Sequence, residues 1–297
     1  MVGKMKKRTR RIVVAIAVGF LFSWGVVAAG GVYFTVRPRP AAIEDIEMLG
    51  NDAVESVFID VGDGVRLSAW HIPSNPTRAV IFLAGIDSNR RAGLERAVFF
   101  LEHGYSMLLP DLRATGKSTG PAVTIGWEER KDLKACYEFL RDRGYTEIGA
   151  NGISLGAATI CYALPHLPEL SFVILESSYD TLGNAVRNRL GLVGVPHFIA
   201  WPYYIGLSFF THTPSWRLRP VEFMEHCAMP ALILAGDSEP ELKVSETQAL
   251  YNRCSAPMKR LHLFREGRHQ DFLRKYPEEY KEVAATFLAE VREARQP

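Results

Sequence analysis

The sequence predicts an α/β protein with a mostly parallel eight-stranded sheet that is flanked by helices, carries a short lid insertion and is preceded by one transmembrane helix. Three observations lead to this prediction. Short apolar, β-rich runs alternate with helical patterns from about residue 50 onwards. A long aromatic and proline-containing stretch, residues 179–229, breaks that alternation, as an inserted lid would. A run without charged side chains lies near the amino terminus, at residues 12–36.

The amino-terminal run is long enough to span a membrane. As a helix rising about 1.5 Å per residue, it more than covers a hydrocarbon core of roughly 30 Å. Basic residues crowd positions 4–11, so the positive-inside rule places the amino terminus in the cytoplasm and the rest outside it, in the periplasm or the extracellular space. Val27-Ala28-Ala29 also offers a cleavage site, so a secreted form released from a signal peptide stays open.

These features divide the chain into four predicted parts. We expect a basic cytoplasmic tail over 1–11, a transmembrane signal anchor over 12–36, a proline-containing linker over 37–50 and the main domain over 51–297, with its lid at about 180–229. With 47% hydrophobic residues in 297, the chain has enough apolar side chains for a sizeable core.

Charge and cysteine content exclude several classes of function. Removing the six basic residues of the tail from the formal net charge of +2 leaves −4, which disfavours nucleic acid as a partner. The four cysteines have no C-x-x-C spacing, which argues against a zinc site or a thioredoxin-like motif, while one or two disulfides stay open. We expect no metal and no cofactor.

The individual elements follow from hydrophobic periodicity. The first two strands are predicted to form an antiparallel edge hairpin around Gly62-Asp63-Gly64. The eight predicted strands are Val57 to Val61, Arg66 to Ile72, Ala79 to Leu83, Ser106 to Pro110, Glu147 to Asn151, Phe172 to Glu176, Ala231 to Ala235 and Lys259 to Phe264. The predicted helices are Ala92 to His103, Glu128 to Arg143, Leu155 to Leu164, Glu241 to Tyr251 and Glu278 to Arg295.

The sharpest motif is Gly152-Ile153-Ser154-Leu155-Gly156, a G-x-S-x-G between a predicted strand and a predicted helix. This context is what a nucleophile elbow requires, because the tight turn thrusts the serine hydroxyl above the sheet. The alternative is a glycine-rich turn whose serine only caps the helix.

A nucleophilic serine needs a base and an orienting acid, in the chain order serine, acid, histidine. His269 follows the last predicted strand in a loop. Two acids compete after the strand that ends at Ala235, namely Asp237 and Glu239. Asp237 is interpreted as a turn residue and Glu239 is favoured as the acid, with Asp237 as the alternative.

With these residues the chain resembles the α/β-hydrolase superfamily over about Val57 to Leu288, in particular membrane-anchored serine hydrolases of the acyl-protein thioesterase-like and serine-aminopeptidase-like branches. The motifs that carry the resemblance are Ala84-Gly85-Ile86-Asp87, Asp111-Leu112-Arg113-Ala114-Thr115-Gly116-Lys117-Ser118, the elbow at Ser154, Glu176-Ser177-Ser178 and the His269 loop.

The resemblance implies a role for each site residue. Ser154 would be the nucleophile and His269 the general base, and the backbone N–H groups of Leu155 and Ile86 would form the oxyanion hole. The family's acid, an aspartate three residues after the glycine that ends the seventh strand, falls on Glu239. Ala84 stands where the family usually has a histidine.

Two further interpretations concern polar residues around the motif. Asp111 and Arg113 are expected to form a structural ion pair beside the site, and residues 128–132 to form the solvated start of a helix. 

Two functions are therefore compared. One is a membrane-anchored serine hydrolase that cleaves ester, thioester or amide bonds of a small-molecule or lipid-like acyl substrate; the other is a catalytically silent scaffold that binds a lipid or a protein. A complete serine, acid and histidine order favours the enzyme.

Overall fold

The computed structural model describes residues 2–295, with side chains from residue 7. An eight-stranded sheet forms the centre of this part of the chain. Its strands, numbered in chain order, are β1 Glu55–Gly62, β2 Val65–Ile72, β3 Arg78–Leu83, β4 Ser106–Pro110, β5 Glu147–Ile153, β6 Phe172–Glu176, β7 Ala231–Gly236 and β8 Lys259–Phe264. All eight predicted strands are confirmed, with ends that shift by at most two residues.

The sheet order is β8-β7-β6-β5-β3-β4-β2-β1. Strands β3 to β8 run parallel, while β2 pairs antiparallel with both β4 and β1. The predicted edge hairpin is confirmed by the β1–β2 pairing. Because the inner strands are parallel, their carboxyl ends meet at one edge of the sheet, where α/β proteins place their sites.

Helices cover both faces of the sheet. The α-helices of the described chain are α1 Val2–Val36, α2 Leu94–Glu102, α3 Glu129–Asp142, α4 Leu155–Ala163, α5 Leu182–Leu192, α6 Trp201–Phe210, α7 Pro220–Phe223, α8 Val244–Arg253, α9 Phe272–Lys275 and α10 Pro277–Glu293. One core cluster packs α3, α4 and α8 against the sheet, and another packs α2 and α10 against its other face.

The lid, residues 180–229, contains α5, α6 and α7 and lies between β6 and β7. It packs against the carboxyl-terminal half of α1. Val32 and Val36 of α1 are buried in a small apolar cluster with Leu182 and Leu207 of the lid. The amino-terminal helix and the lid therefore form one packed unit.

Helix α1 contains the Lys7–Val36 segment, which by length and composition could cross a membrane. This finding is compatible with a signal anchor and with a signal peptide. After the helix, Arg39–Pro40 pairs in parallel with Thr115–Gly116, and Val123 N–H donates to the Val36 carbonyl at 2.9 Å. The segment after α1 is thus hydrogen-bonded to the domain.

The expected ion pair between Asp111 and Arg113 is wrong, because each side chain has another partner. Asp111 lies 3.2 Å from Arg90, and both side chains are fully buried. Arg113 donates to Asp132 through Nε at 2.9 Å and Nη2 at 2.6 Å. These partners come from distant segments, which local sequence does not reveal.

The interpretation of residues 128–132 as a solvated helix start is also wrong in part. Glu129 and Asp132 are buried. Glu129 accepts hydrogen bonds from the backbone N–H groups of Thr124 and Gly126, so it fixes the loop before α3. Burial raises the pKa of Asp132 to about 6, against the opposing effect of Arg113. These carboxylates are structural.

The sequence did not decide whether the four cysteines form disulfides. In the structure all four are free and buried.

The buried Arg113–Asp132 pair leads to a stability prediction. We expect Asp132→Asn to lower the free energy of unfolding by about 3 kcal/mol, because it leaves the Arg113 charge buried without its partner. The matched control is Glu138→Gln on the same helix, which removes an exposed pair with Lys134 and is expected to change nothing measurable. Urea unfolding of the full chain in detergent micelles at pH 7.5 measures both, and equal effects would contradict the structural role of Asp132.

Candidate active site

Ser154 lies at the turn where β5 ends and α4 begins. Its backbone has φ 51° and ψ −106°, a strained conformation for a residue with a side chain. Two close approaches explain the glycines that flank it. A Cβ at Gly152 would lie 2.5 Å from the Gly156 carbonyl carbon, and one at Gly156 would lie 2.1 Å from the Leu83 carbonyl oxygen. The structure therefore has the geometry of a nucleophile elbow.

The structure brings Ser154, His269 and Glu239 together. Nε2 of His269 lies 3.1 Å from Oγ of Ser154. Nδ1 of the same ring lies 2.6 Å from Oε2 of Glu239. His269 is partly exposed, whereas the Glu239 carboxylate is fully buried. A continuous hydrogen-bonded chain thus joins the serine hydroxyl to a buried carboxylate.

The second oxygen of Glu239 is also occupied. Oε1 accepts a hydrogen bond from the Ser177 hydroxyl at 2.7 Å and another from the Gly236 N–H at 2.7 Å. These two hydrogen bonds fix the orientation of the carboxylate toward His269.

Asp237, the alternative acid, is bonded elsewhere. Its Oδ1 accepts from the Glu266 N–H at 2.7 Å and from the Ser238 hydroxyl at 2.8 Å. It is exposed and fixes the turn between the ends of β7 and β8. The structure brings Glu239, and not Asp237, to the histidine.

Both residues predicted for the oxyanion hole line the pocket at Ser154. Leu155 is the first residue of α4, where the helix dipole favours negative charge. Ile86 follows Gly85, at which a Cβ would lie 3.7 Å from Cβ of Ser154. The loop after β3 therefore passes directly beside the serine.

The pocket itself has a volume of about 160 Å³. Its walls come from the domain, from the lid and from α1, which contributes Thr35. The Thr35 hydroxyl lies 3.2 Å from the Tyr203 hydroxyl of α6. The exposed Arg189 of α5 carries a charge at this otherwise mostly apolar pocket. No sequence pattern indicated that α1 and the lid meet here.

A buried ionic network lies behind the histidine loop. Arg96 of α2 donates to Glu176 at 2.7 Å and 3.0 Å, and to Asp271 at 2.9 Å. Asp271 lies two residues after His269, and Tyr280 of α10 donates to Glu176 at 2.9 Å. The network ties the loop that carries the base to the core.

Ionisation within this network is strongly perturbed. Burial lowers the pKa of Arg96, but the combined effects of Glu176, Tyr280 and Asp271 outweigh it and raise that pKa. Burial would raise the pKa of Asp271, yet Arg96 outweighs it and lowers that pKa. Both groups are therefore charged at neutral pH.

Sequence reasoning missed Arg96 and Ser177 as supports of the site. The Glu176-Ser177-Ser178 motif contains Ser177 and also Glu176, the partner of Arg96, but it did not reveal the contacts that these residues make. No sequence pattern pointed to Arg96, because its partners lie 80 and 175 residues further along the chain.

Comparisons with known proteins identify relatives of this chain. The family model of the X-Pro dipeptidyl-peptidase (S15 family) matches residues 63–254. The uncharacterized protein YqkD of Bacillus subtilis is 25% identical over 234 residues, which are 76% of either chain. The esterase Pf2001 of Pyrococcus furiosus superposes with a TM-score of 0.73 and 25% identity, covering 86% of this chain and 98% of the esterase.

A more distant neighbour shares the fold. The esterase EaEST of Exiguobacterium antarcticum superposes with a TM-score of 0.59 at 18% identity, over 79% of this chain and all of the esterase. Because the S15 match covers more than half of the sequence, the chain belongs to the X-Pro dipeptidyl-peptidase (S15) family and is a serine hydrolase with the α/β-hydrolase fold.

Proposed function

We propose that this protein is a membrane-anchored hydrolase that cleaves carboxylic esters or thioesters through an acyl-enzyme formed on Ser154. The observation that carries the proposal is the unbroken chain of hydrogen bonds from Ser154 through His269 to Glu239. A serine hydroxyl in such an arrangement is activated by its base, and the base is held in one tautomer by the acid.

The reaction begins when Ser154 Oγ attacks the carbonyl carbon. Nε2 of His269 takes the hydroxyl proton, while Nδ1–H donates to Glu239 and the carboxylate stabilises the imidazolium. His269 then gives the proton to the leaving alcohol or thiol. A water molecule, deprotonated by the same nitrogen, then attacks the acyl carbon. The bond to Ser154 Oγ breaks, Oγ takes the proton back from His269, and the carboxylic acid is released.

Charge develops on the carbonyl oxygen during both attacks. We assign its stabilisation to the backbone N–H groups of Leu155 and Ile86, which line the pocket. The amino terminus of α4 adds the favourable end of its dipole.

An amide substrate is the second candidate, and the S15 family match favours it. A peptide with a free amino terminus would bring a positive charge into the pocket. Among the described residues that line this pocket none is acidic, and Arg189 is cationic. The charge of the pocket therefore supports ester over dipeptide cleavage.

Membrane anchoring by α1 is part of the proposal. Loss of the segment up to Ala29 would remove Trp24 and Ala28, which pack on the domain side of the helix. The buried positions 28, 32 and 36 repeat every four residues, so one stripe of the helix contacts the protein, while most other residues from 12 to 36 are exposed and apolar. This stripe supports a retained anchor over a cleaved signal peptide.

The first prediction from the proposed function concerns the nucleophile. A fluorophosphonate probe is expected to label the full chain, because only a serine activated by a base reacts readily with it. Ser154→Ala should abolish the labelling, and Ser245→Ala, at an exposed serine of α8, should preserve it. Gel fluorescence and mass mapping of the labelled peptide measure the result, and labelling that survives in Ser154→Ala would refute the assignment.

The second prediction separates the two acids. Glu239→Gln is expected to lower kcat by about two to four orders of magnitude on p-nitrophenyl acetate, because the amide cannot stabilise the imidazolium. Asp237→Asn should have a much smaller effect, since this side chain only bonds a turn. Steady-state kinetics of both variants decide, and the reverse ranking would move the role to Asp237.

The third prediction concerns topology. Reporter fusions after residue 39 and at the carboxyl terminus should be active with alkaline phosphatase, which folds only after export, because the basic tail resists translocation. The same fusions to a cytoplasmic fluorescent reporter should be dark. A bright cytoplasmic fusion would overturn the orientation, and a shortened soluble product would favour signal cleavage.

A further inference from the structure

Helix α6 exposes an apolar face that the protein core does not cover. Trp201, Ile205 and Phe209 follow one another every four residues and are exposed by 61%, 56% and 74%. The helix contains no charged residue. Phe198, just before it, is exposed by 74%. A helix that is apolar all round normally lies in a core or in a membrane.

The charges of the lid complement a membrane surface. Between Asp180 and Glu222 the sequence contains four arginines and no acidic residue, although the chain outside the tail is acidic overall. Arg187 and Arg189 lie on α5, and Arg189 lines the same pocket as Tyr203 of α6. Basic side chains beside an exposed apolar patch are the combination that binds anionic lipid surfaces.

The packing of the lid on α1 fixes its depth if α1 spans a bilayer. A hydrocarbon core of about 30 Å that begins near Ile12 ends about 20 residues later, close to Gly31. The exposed aromatic Tyr33 lies just beyond this level, where such residues concentrate. Trp24 then lies about 10 Å inside the hydrocarbon.

The lid contacts α1 on both sides of that level. The Trp24 indole N–H donates to the carbonyl of Ile199 at 2.7 Å. Gly206 of α6 packs against Val32, since a Cβ there would lie 2.8 Å from Cγ2 of the valine. Because of these contacts, the start of α6 lies inside the leaflet in which α1 is embedded.

The same packing sets the level of the nucleophile. Thr35 of α1 and Tyr203 of α6 both line the pocket that contains Ser154. Thr35 lies about 6 Å beyond Gly31 along the helix, in the interfacial layer. The ester carbonyl groups of bilayer lipids occupy this layer, between hydrocarbon and headgroups. Ser154 is thus at the level of those carbonyls.

We propose that the lid is embedded in the leaflet nearer the catalytic domain, and that the substrate is an acyl ester of a lipid in that leaflet. The lipid enters the Ser154 pocket from the bilayer with its chain along the apolar face of α6. Its acyl group moves to Ser154 Oγ, the lipid alcohol leaves with the proton from His269, and water releases the fatty acid. This inference rests on the proposed function and on the proposed anchor.

The depth of the lid is tested with an environment-sensitive fluorophore. Phe198→Cys, at an exposed phenylalanine that lies beside Trp24 and Val27 of α1, is labelled with a nitrobenzoxadiazole probe in the full chain, reconstituted in vesicles of dioleoylphosphatidylglycerol and dioleoylphosphatidylcholine. The matched control is Glu169→Cys, an exposed site just before β6, at the opposite end of the strands. The four native cysteines do not disturb this comparison, because all four are buried and the parent chain serves as the blank.

Chain-doxylated phosphatidylcholine is expected to quench the label at position 198 by more than about half and to leave position 169 unquenched, since the quencher acts only within the hydrocarbon. Equal quenching at the two positions overturns the embedded lid.

The substrate class is tested by two activities on the same vesicles. Free oleate released from the vesicle lipid reports lipid cleavage, and hydrolysis of p-nitrophenyl acetate reports the soluble ester reaction. Phe198→Asp is expected to lower the ratio of oleate release to acetate hydrolysis by at least about tenfold, because a carboxylate in the hydrocarbon expels the start of the lid helix α6. The control Phe58→Asp, at an exposed phenylalanine of β1, should leave the ratio unchanged.

The outcomes separate the two proposals. Absence of acetate hydrolysis, with no labelling of Ser154, refutes the proposed function, and quenching still tests the lid. Acetate hydrolysis without any release of oleate, or an unchanged ratio in Phe198→Asp, refutes the lipid substrate and leaves the serine hydrolase intact.

Discussion

The buried ion pair between Arg96 and Glu176 is the interaction on which the site depends. Both side chains are inaccessible to solvent, and an unpaired charge there would cost several kcal/mol. Glu176 ends β6 and also accepts from Asn151 of β5 at 2.8 Å, so one carboxylate links the two strands that lead to Ser154 and Ser177. Through Asp271, the same guanidinium fixes the loop of His269. The base is therefore positioned by the core beneath it.

The fold follows closely from the sequence because the sheet is buried on both faces. Inner strands such as Phe172–Glu176 consist of apolar residues bounded by polar turns, and this pattern predicts their limits without knowledge of partners. The pairing of polar side chains has no such local signal. Asp111 and Arg113 are only two residues apart, just after the end of β4. Even so, Asp111 pairs with Arg90, whereas Arg113 pairs with Asp132.

The nucleophile and the base of the site can also be predicted from the sequence. Chain order and the G-x-S-x-G motif point to Ser154 and His269, since both constrain the backbone locally. The choice between Asp237 and Glu239 depends on how the loop after β7 leaves the sheet. A close approach controls that path, because a Cβ at Gly236 would lie 2.1 Å from the Gly267 carbonyl oxygen. Spacing cannot reveal an approach between two loops, so the acid stayed open until their geometry was known.

The end of α1 is coupled to the catalytic centre more tightly than a tether would be. Arg39 donates to the carbonyls of Phe34, Thr35 and Arg37, so it caps the helix, and it also forms an ion pair with Asp87. 

Asp87 follows Ile86, whose N–H we assign to the oxyanion hole, and its backbone is in the left-handed region with φ 60°. The last turn of the proposed anchor thus holds both a wall of the pocket and the loop that would stabilise the transition state. A chain that used α1 only to reach the membrane would have no need of these contacts. Their presence argues that the position of the helix is part of how the site is built.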